Sequence, residues 1–116
     1  MKLWLDDERK PPPGYSHWVK SADECIEALK SGKYDHVSLD HDLADEHYKE
    51  GGWMPHVSKE KTGQAVVDWM IENSWWPAEV RVHTMNPVGR KNMLTALLRY
   101  APTTTRVWVR FPYEED

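Results

Sequence analysis

The sequence predicts one α/β domain built on a mostly parallel, five-stranded sheet, and three observations predict it. Short apolar runs alternate with stretches of helical period. Several of those runs stop abruptly in aspartate or histidine. The 116 residues are enough for one hydrophobic core, whereas two would each be too small to stabilise themselves easily, so residues 1–116 read as a single domain.

Taken in order, the first run, Lys2 to Leu5, is a short strand halted by Asp6-Asp7-Glu8-Arg9. Lys10-Pro11-Pro12-Pro13-Gly14 can continue neither a ladder nor a helix, so the crossover after this strand is a proline-rich loop where a helix is usual. His17-Trp18-Val19 is a second short strand. Ser21-Ala22-Asp23-Glu24 is a capping box, followed by Ala22, Cys25, Ile26 and Leu29 at helical spacing and by Gly32 where a carboxyl cap belongs. His36 to Leu39 forms a third strand that runs into Asp40-His41-Asp42. Residues 44–61 show no period and are rich in charge and glycine, which reads as a long flexible loop beside the acids.

Thr62-Gly63 opens a helix with Val66, Val67, Met70 and Ile71 on one face, closing near Trp75-Trp76-Pro77. Val80 to Val82 is a fourth strand ending in His83-Thr84. Asn86-Pro87 is a strong helix start, because asparagine caps and proline suits the first helical position. Met93, Leu94, Leu97 and Leu98 give that helix its stripe, Pro102 stops it, and Arg106 to Arg110 is the last strand before a tail over residues 113–116. Right-handed crossovers then give a parallel sheet covered on both faces, a three-layer sandwich. In such a sheet all the carboxyl ends share one edge, so Asp6, Asp7, Asp40, Asp42, His83 and Thr84 are expected in one crevice.

Composition narrows the function classes. The formal charge of −4, from 15 Lys+Arg against 19 Asp+Glu, supplies no field for double-stranded DNA or an anionic membrane. A single cysteine, Cys25, on a helical stripe excludes an intrachain disulfide framework or a cysteine-based metal site, and fits a reducing cytoplasm. The amino terminus reads as an immediate strand rather than a leader, and no apolar run has membrane length. There is no internal repeat and no glycine-rich phosphate loop of the nucleotide-binding types.

Several carboxylates in one pocket raise one another's pKa unless a cation compensates them. An oxygen-only set from Asp6, Asp7 and Asp40, with Asp42 as a fourth candidate, suits Mg²⁺ or Mn²⁺. The plainer reading has Asp6 in a turn and Asp7 paired with Arg9 or Lys10 at the surface. His41, between two aspartates, and His83, from the next strand end, are candidates for general acid and base, with Asp40 between them. The alternative is a His83 hydrogen-bonded inside the crevice and a His41 facing solvent. The amino end of the helix at Asn86 and the planar fork of Arg90 are suited to phosphate. Thr62 is a second phosphate candidate or a plain cap. Of the seven tryptophans, Trp53 in the polar loop is the one placed to stack on a base.

The order of acids and hydroxyl resembles the receiver domain, of flavodoxin-like fold: an acidic pair after the first strand (Asp6, Asp7), an aspartate at the phosphoacceptor position (Asp40), and a hydroxyl after the fourth strand (Thr84). Arg110 stands where receivers carry lysine. A closer resemblance is to the cyclic-phosphate processing receiver domains, often phage-encoded. It rests on Leu3-Trp4-Leu5-Asp6-Asp7-Glu8-Arg9 with the prolines, Ser38-Leu39-Asp40-His41-Asp42-Leu43, Thr62-Gly63 with Trp69, and His83-Thr84-Met85-Asn86-Pro87-Val88-Gly89-Arg90 with Asn92-Met93. It spans nearly the whole chain apart from residues 44–61. The resemblance implies a metal-dependent phosphoesterase that hydrolyses or processes cyclic nucleotides or 2′,3′-cyclic RNA ends, with Arg9, Arg90 and Arg110 among the groups available to the phosphate. A receiver-like signalling or binding module without catalysis is the alternative.

Overall fold

The computed structural model describes residues 1–43 and 62–109. In chain order they form β1 (Lys2–Leu5), β2 (His17–Val19), α1 (Ala22–Lys30), β3 (His36–Leu39), α2 (Gly63–Asn73), β4 (Glu79–Val82), α3 (Pro87–Tyr100) and β5 (Arg106–Val109). The strands make one sheet in the order β2-β1-β3-β4-β5, with every neighbouring pair parallel. The loop expected over residues 44–61, the end of the last strand at Arg110 and the tail at 113–116 lie outside the described residues.

The helix ends follow their local chemistry. Ser21 caps α1 by accepting from the Glu24 N–H at 3.1 Å, and its hydroxyl donates to the Glu24 carboxylate at 3.2 Å, a side-chain pairing in place of the backbone half of a capping box. Gly32 takes the left-handed conformation just beyond α1, with φ +74°, and donates to the Leu29 carbonyl at 3.1 Å. The second helix stops at Asn73, slightly ahead of the tryptophan pair, because Ser74 turns left-handed at φ 50° and sends the Trp75 N–H back to Met70 at 3.0 Å. Asn86 caps α3 through the Gly89 N–H at 3.0 Å, with Pro87 in the first turn.

Register fixes which side chains share a face. Leu3, Val37 and Val80 lie side by side, as do Leu5, Leu39 and Val82. All are fully buried and join Cys25 and Leu29 of α1, Val66, Val67 and Met70 of α2, and Met93 and Leu97 of α3 in one core. Each such aliphatic side chain contributes about 1.5–3 kcal/mol on burial. Every described helix therefore packs on the same side of the sheet, which corrects the expectation of helices on both faces. The reason is handedness. The steps from β2 to β3, β3 to β4 and β4 to β5 all run in one direction across the sheet, so right-handed crossovers put their helices on one side. Only the step from β1 to β2 runs backwards, and that is the proline-rich crossover without a helix.

The opposite face carries Trp4, His36, Ser38, Arg81 and Trp108, and the backward crossover folds over part of it. Tyr15 sits edge-on to Trp4 at 5.1 Å and donates or accepts at the Nε2 of His36 at 2.8 Å. His36 Nδ1 meets Glu79 at 2.6 Å, and the Arg81 guanidinium stacks on Trp108 at 3.8 Å. One face of the sheet is thus an aliphatic core and the other a layer of aromatic rings and paired charges.

Gly63 is where α2 meets the end of β3. A β-carbon there would overlap the carbonyl oxygen of Asp40, and the Gly63 N–H donates to the His41 carbonyl at 2.9 Å. Gly63→Ala is expected to lower the unfolding free energy by about 1–3 kcal/mol, read from urea denaturation. A variant as stable as the parent chain would contradict this close approach.

Candidate functional site

The carboxyl ends of β1, β3 and β4 open into a cleft of about 440 Å³. Asp6 to Arg9 line one wall, Asp40, Asp42 and Leu43 the floor and back, and Thr84 to Asn86 the other wall. The sequence expectation that three separated segments meet at this edge is met in the described residues.

Asp6, 1% exposed, organises the first wall. Its N–H reaches the Val19 carbonyl at 3.1 Å, tying it to the edge strand. One carboxylate oxygen accepts the N–H groups of Glu8 and Arg9, each at 2.8 Å, and so closes a tight turn. The other accepts Arg9 Nε and His83 Nε2, both at 3.1 Å. Burial pushes the Asp6 pKa up, but the His83 bond, the two backbone donors and the guanidinium outweigh it and hold the group at about 2. Two indoles clamp the same turn from outside: Trp18 Nε1 donates to the Asp6 carbonyl at 2.6 Å and Trp4 Nε1 to the Arg9 carbonyl at 2.8 Å.

Asp40 is 5% exposed and stands beside Asp6. Burial, then the Asp6 charge, raise its pKa to about 6, against the hydrogen bond from Thr84, the His41 N–H at 2.8 Å and the Arg9 guanidinium. Arg9 spans the pair, with a second guanidinium nitrogen 3.6 Å from Asp40. Asp6, Asp7 and Asp40 each offer an oxygen within 4.8 Å of the others, which fits a hard divalent cation by donor type, charge and spacing. Asp42 is not in that group. It lies at the rim, where His41 Nδ1 donates to it at 2.7 Å and Asn86 Nδ2 at 3.0 Å. The His41 bond, ahead of a small burial cost, keeps its pKa below the usual carboxylate range. Asn86 therefore caps α3 and holds Asp42 with one amide. The His41 ring rests on the Gly89 backbone, where a β-carbon would overlap it.

His83 differs most from the sequence expectation. Its ring is 1% exposed, stacks on Trp4 at 3.9 Å with planes 6° apart, and does not line the cleft. An ionised Asp6 only accepts, so Nε2 carries a proton, and in the neutral ring Nδ1 accepts from the Ser38 hydroxyl at 2.7 Å. His83 thus stands beneath Asp6, as the alternative sequence reading had it, and acts on the cleft only through Asp6. Arg90 is likewise set back from the cleft, with a guanidinium nitrogen donating to the Thr84 carbonyl at 3.1 Å. Thr84 is buried, and its hydroxyl oxygen accepts the Asn86 N–H at 3.1 Å. Thr62 caps α2 without a side-chain bond and does not line the cleft. Arg110 and Trp53 lie outside the described residues.

Sequence reasoning missed four contributors. Ser38 carries a signal, as a polar residue between apolar Val37 and Leu39, two positions before Asp40 and so on the same face. Trp4 and Trp18 become a clamp only once their strands are known to pair in register. Met85 is 62% exposed at the cleft wall and carries no sequence signal of its own.

A family model described as the cyclic-phosphate processing receiver domain matches residues 1–99. No curated protein matches the chain. Among solved structures, the chain is similar to the signal receiver domain of a protein described as a Luxo repressor from Vibrio parahaemolyticus, at 17% identity and a TM-score of 0.59, covering 98% of this chain and 78% of that one. At that identity the likeness concerns the fold, a flavodoxin-like α/β sheet.

The two buried acids make opposite contributions to stability. Asp40 holds its proton more tightly in the folded chain than in the unfolded one. Without divalent metal, stability is therefore expected to fall by ~3 kcal/mol as pH rises from about 4 to about 6. Asp6, with its folded pKa below the unfolded value, adds stability above pH 4 that disappears as pH falls toward 2. Urea unfolding in EDTA should show Asp40→Asn without the decline between pH 4 and 6, and more stable than the parent chain above it. An unchanged profile in that variant would assign the pH dependence elsewhere.

Proposed function

The chain belongs to the cyclic-phosphate processing receiver domains, and from that premise we propose that it is a metal-dependent phosphoesterase acting on cyclic nucleotides or 2′,3′-cyclic ends of RNA. One observation carries the reading: Asp6, Asp7 and Asp40 converge on the same cleft as Arg9, so cation-binding oxygens and a phosphate-binding fork face one space. Asp6, Asp7 and Asp40 would hold Mg²⁺ or Mn²⁺, which supplies charge neutralisation at a phosphate in line with the chemistry of these ions.

The chain's own residues divide the remaining work. His83, fixed by Ser38 and stacked on Trp4, keeps the Asp6 carboxylate ionised and oriented, and is a positioning residue. Asp42 lines the cleft and takes Nδ1 of His41, which itself is set back from the lining, so the candidate for proton handling is this aspartate–histidine pair with Asp42 as the member that meets the ligand. Asn86 holds Asp42 in place. The cleft is open and mostly polar, with Leu43 and Met85 as its apolar lining residues, which suits a ligand with a charged ester. Among the described residues no helix is long and apolar enough to cross a membrane.

A second reading, a receiver-like module without catalysis, is favoured by the hydrogen bond of Thr84 to Asp40 and by the receiver fold. A panel of 2′,3′- and 3′,5′-cyclic nucleotides, cyclic-ended RNA and ADP-ribose cyclic phosphate separates the two. Turnover is expected with Mn²⁺ or Mg²⁺ and not with EDTA, and Asp40→Asn should abolish it. His41→Gln should slow it by about 10²-fold or more at unchanged melting temperature. His83→Gln should lower both rate and melting temperature, because it acts through Asp6. Turnover that survives EDTA would overturn the metal reading. Inert substrates together with acetyl-phosphate labelling of Asp40 would establish the signalling one.

A further inference from the structure

The Asp6 carboxylate already accepts four hydrogen bonds, two on each oxygen. Three of the donors are fixed: two are backbone N–H groups of the clamped turn, and the third is the buried His83. The fourth, Arg9 Nε, belongs to a side chain that is 35% exposed and reaches on toward Asp40. A cation that approaches the Asp6 oxygen shared by Arg9 and His83 therefore meets one donor it can displace, the Arg9 guanidinium. The Arg9 backbone need not move for its side chain to leave, since its N–H is held by Asp6 and its carbonyl by the Trp4 indole. Released, the guanidinium remains a cleft-lining group, beside the position of any anion attached to the cation.

We propose that Arg9 is an exchangeable counter-ion. It pairs with Asp6 and Asp40 when no divalent cation is present, and it passes to the substrate's phosphate when one binds. This rests on the metal reading of the site given above. Its consequence is a coupling between two ligands through one side chain. The cation loses affinity by having to displace Arg9, and the anion restores it by giving Arg9 a new partner, so cation and anion raise each other's affinity by the same factor. The arrangement also orders the site, because a phosphate arriving before the cation meets an acid pair whose only adjacent fork, among the described cleft residues, is already engaged.

Calorimetric titration of the full chain with Mn²⁺, with and without sulfate as a soluble stand-in for phosphate, tests this. In the parent chain sulfate is expected to tighten Mn²⁺ binding by about tenfold. Arg9→Gln is expected to bind Mn²⁺ alone about tenfold more tightly and to lose most of the sulfate effect. Arg9→Lys, which keeps a charge but not the fork, should bind Mn²⁺ alone as the parent does and keep only part of the effect, and thermal melts of both variants report folding. If Mn²⁺ binds parent and Arg9→Gln equally, or if sulfate acts equally on both, the exchange is overturned while the metal site stands. If the folded parent binds no Mn²⁺ at all, the metal reading falls and the exchange falls with it.

Discussion

The burial of two carboxylates side by side at the end of a parallel sheet is the constraint on which the rest of this structure turns. Asp6 and Asp40 are almost wholly withdrawn from water, and after burial itself the charge on Asp6 is what most penalises the ionisation of Asp40. The fold resolves the conflict unequally. Asp6 receives four donors and is held ionised, whereas Asp40 receives fewer and is driven toward its protonated form. A buried pair resolved in this way contributes to stability through Asp6 and costs stability through Asp40 wherever both would be ionised.

Much of the remaining architecture serves that turn of chain. The aromatic face of the sheet places Trp4 under His83 and sets both indoles around residues 6–9. Two glycines bring the helices close enough to the strand ends: Gly63 against the Asp40 carbonyl and Gly89 against the His41 ring. The proline-rich crossover supplies the Arg9 fork at its start and Tyr15 at its end, so the segment that replaces a helix both shapes the cleft and covers the ring layer.

The elements and the edge at which they converge were legible because each has a local cause. Strands ended where acids began, the capping box and Asn86-Pro87 marked helix starts, and parallel topology did the rest. The one-sided placement of the helices was also implicit, since the backward step across the sheet is the one that has no helix, but it needed the strand order to be read. Side-chain direction was not legible to the same degree. His83 follows Arg81 on the ring-bearing face and so turns beneath Asp6, while His41, outside any strand, is free of that alternation and swings to the rim. Equal proximity to the strand ends in sequence thus separated into two depths in space.

That separation in depth gives the two histidines different physical work. A ring enclosed by Trp4, Ser38 and Asp6 has little room to change its partners, and its value lies in holding one carboxylate in one state. The other ring, at the rim, is bonded to a mostly exposed aspartate and rests on the backbone of Gly89. One imidazole is thus locked under the Asp6 carboxylate and the other stands at the rim beside Asp42. One ring could not serve both places, because an imidazole bonded through Nε2 to Asp6 and through Nδ1 to Ser38 has no nitrogen left for Asp42.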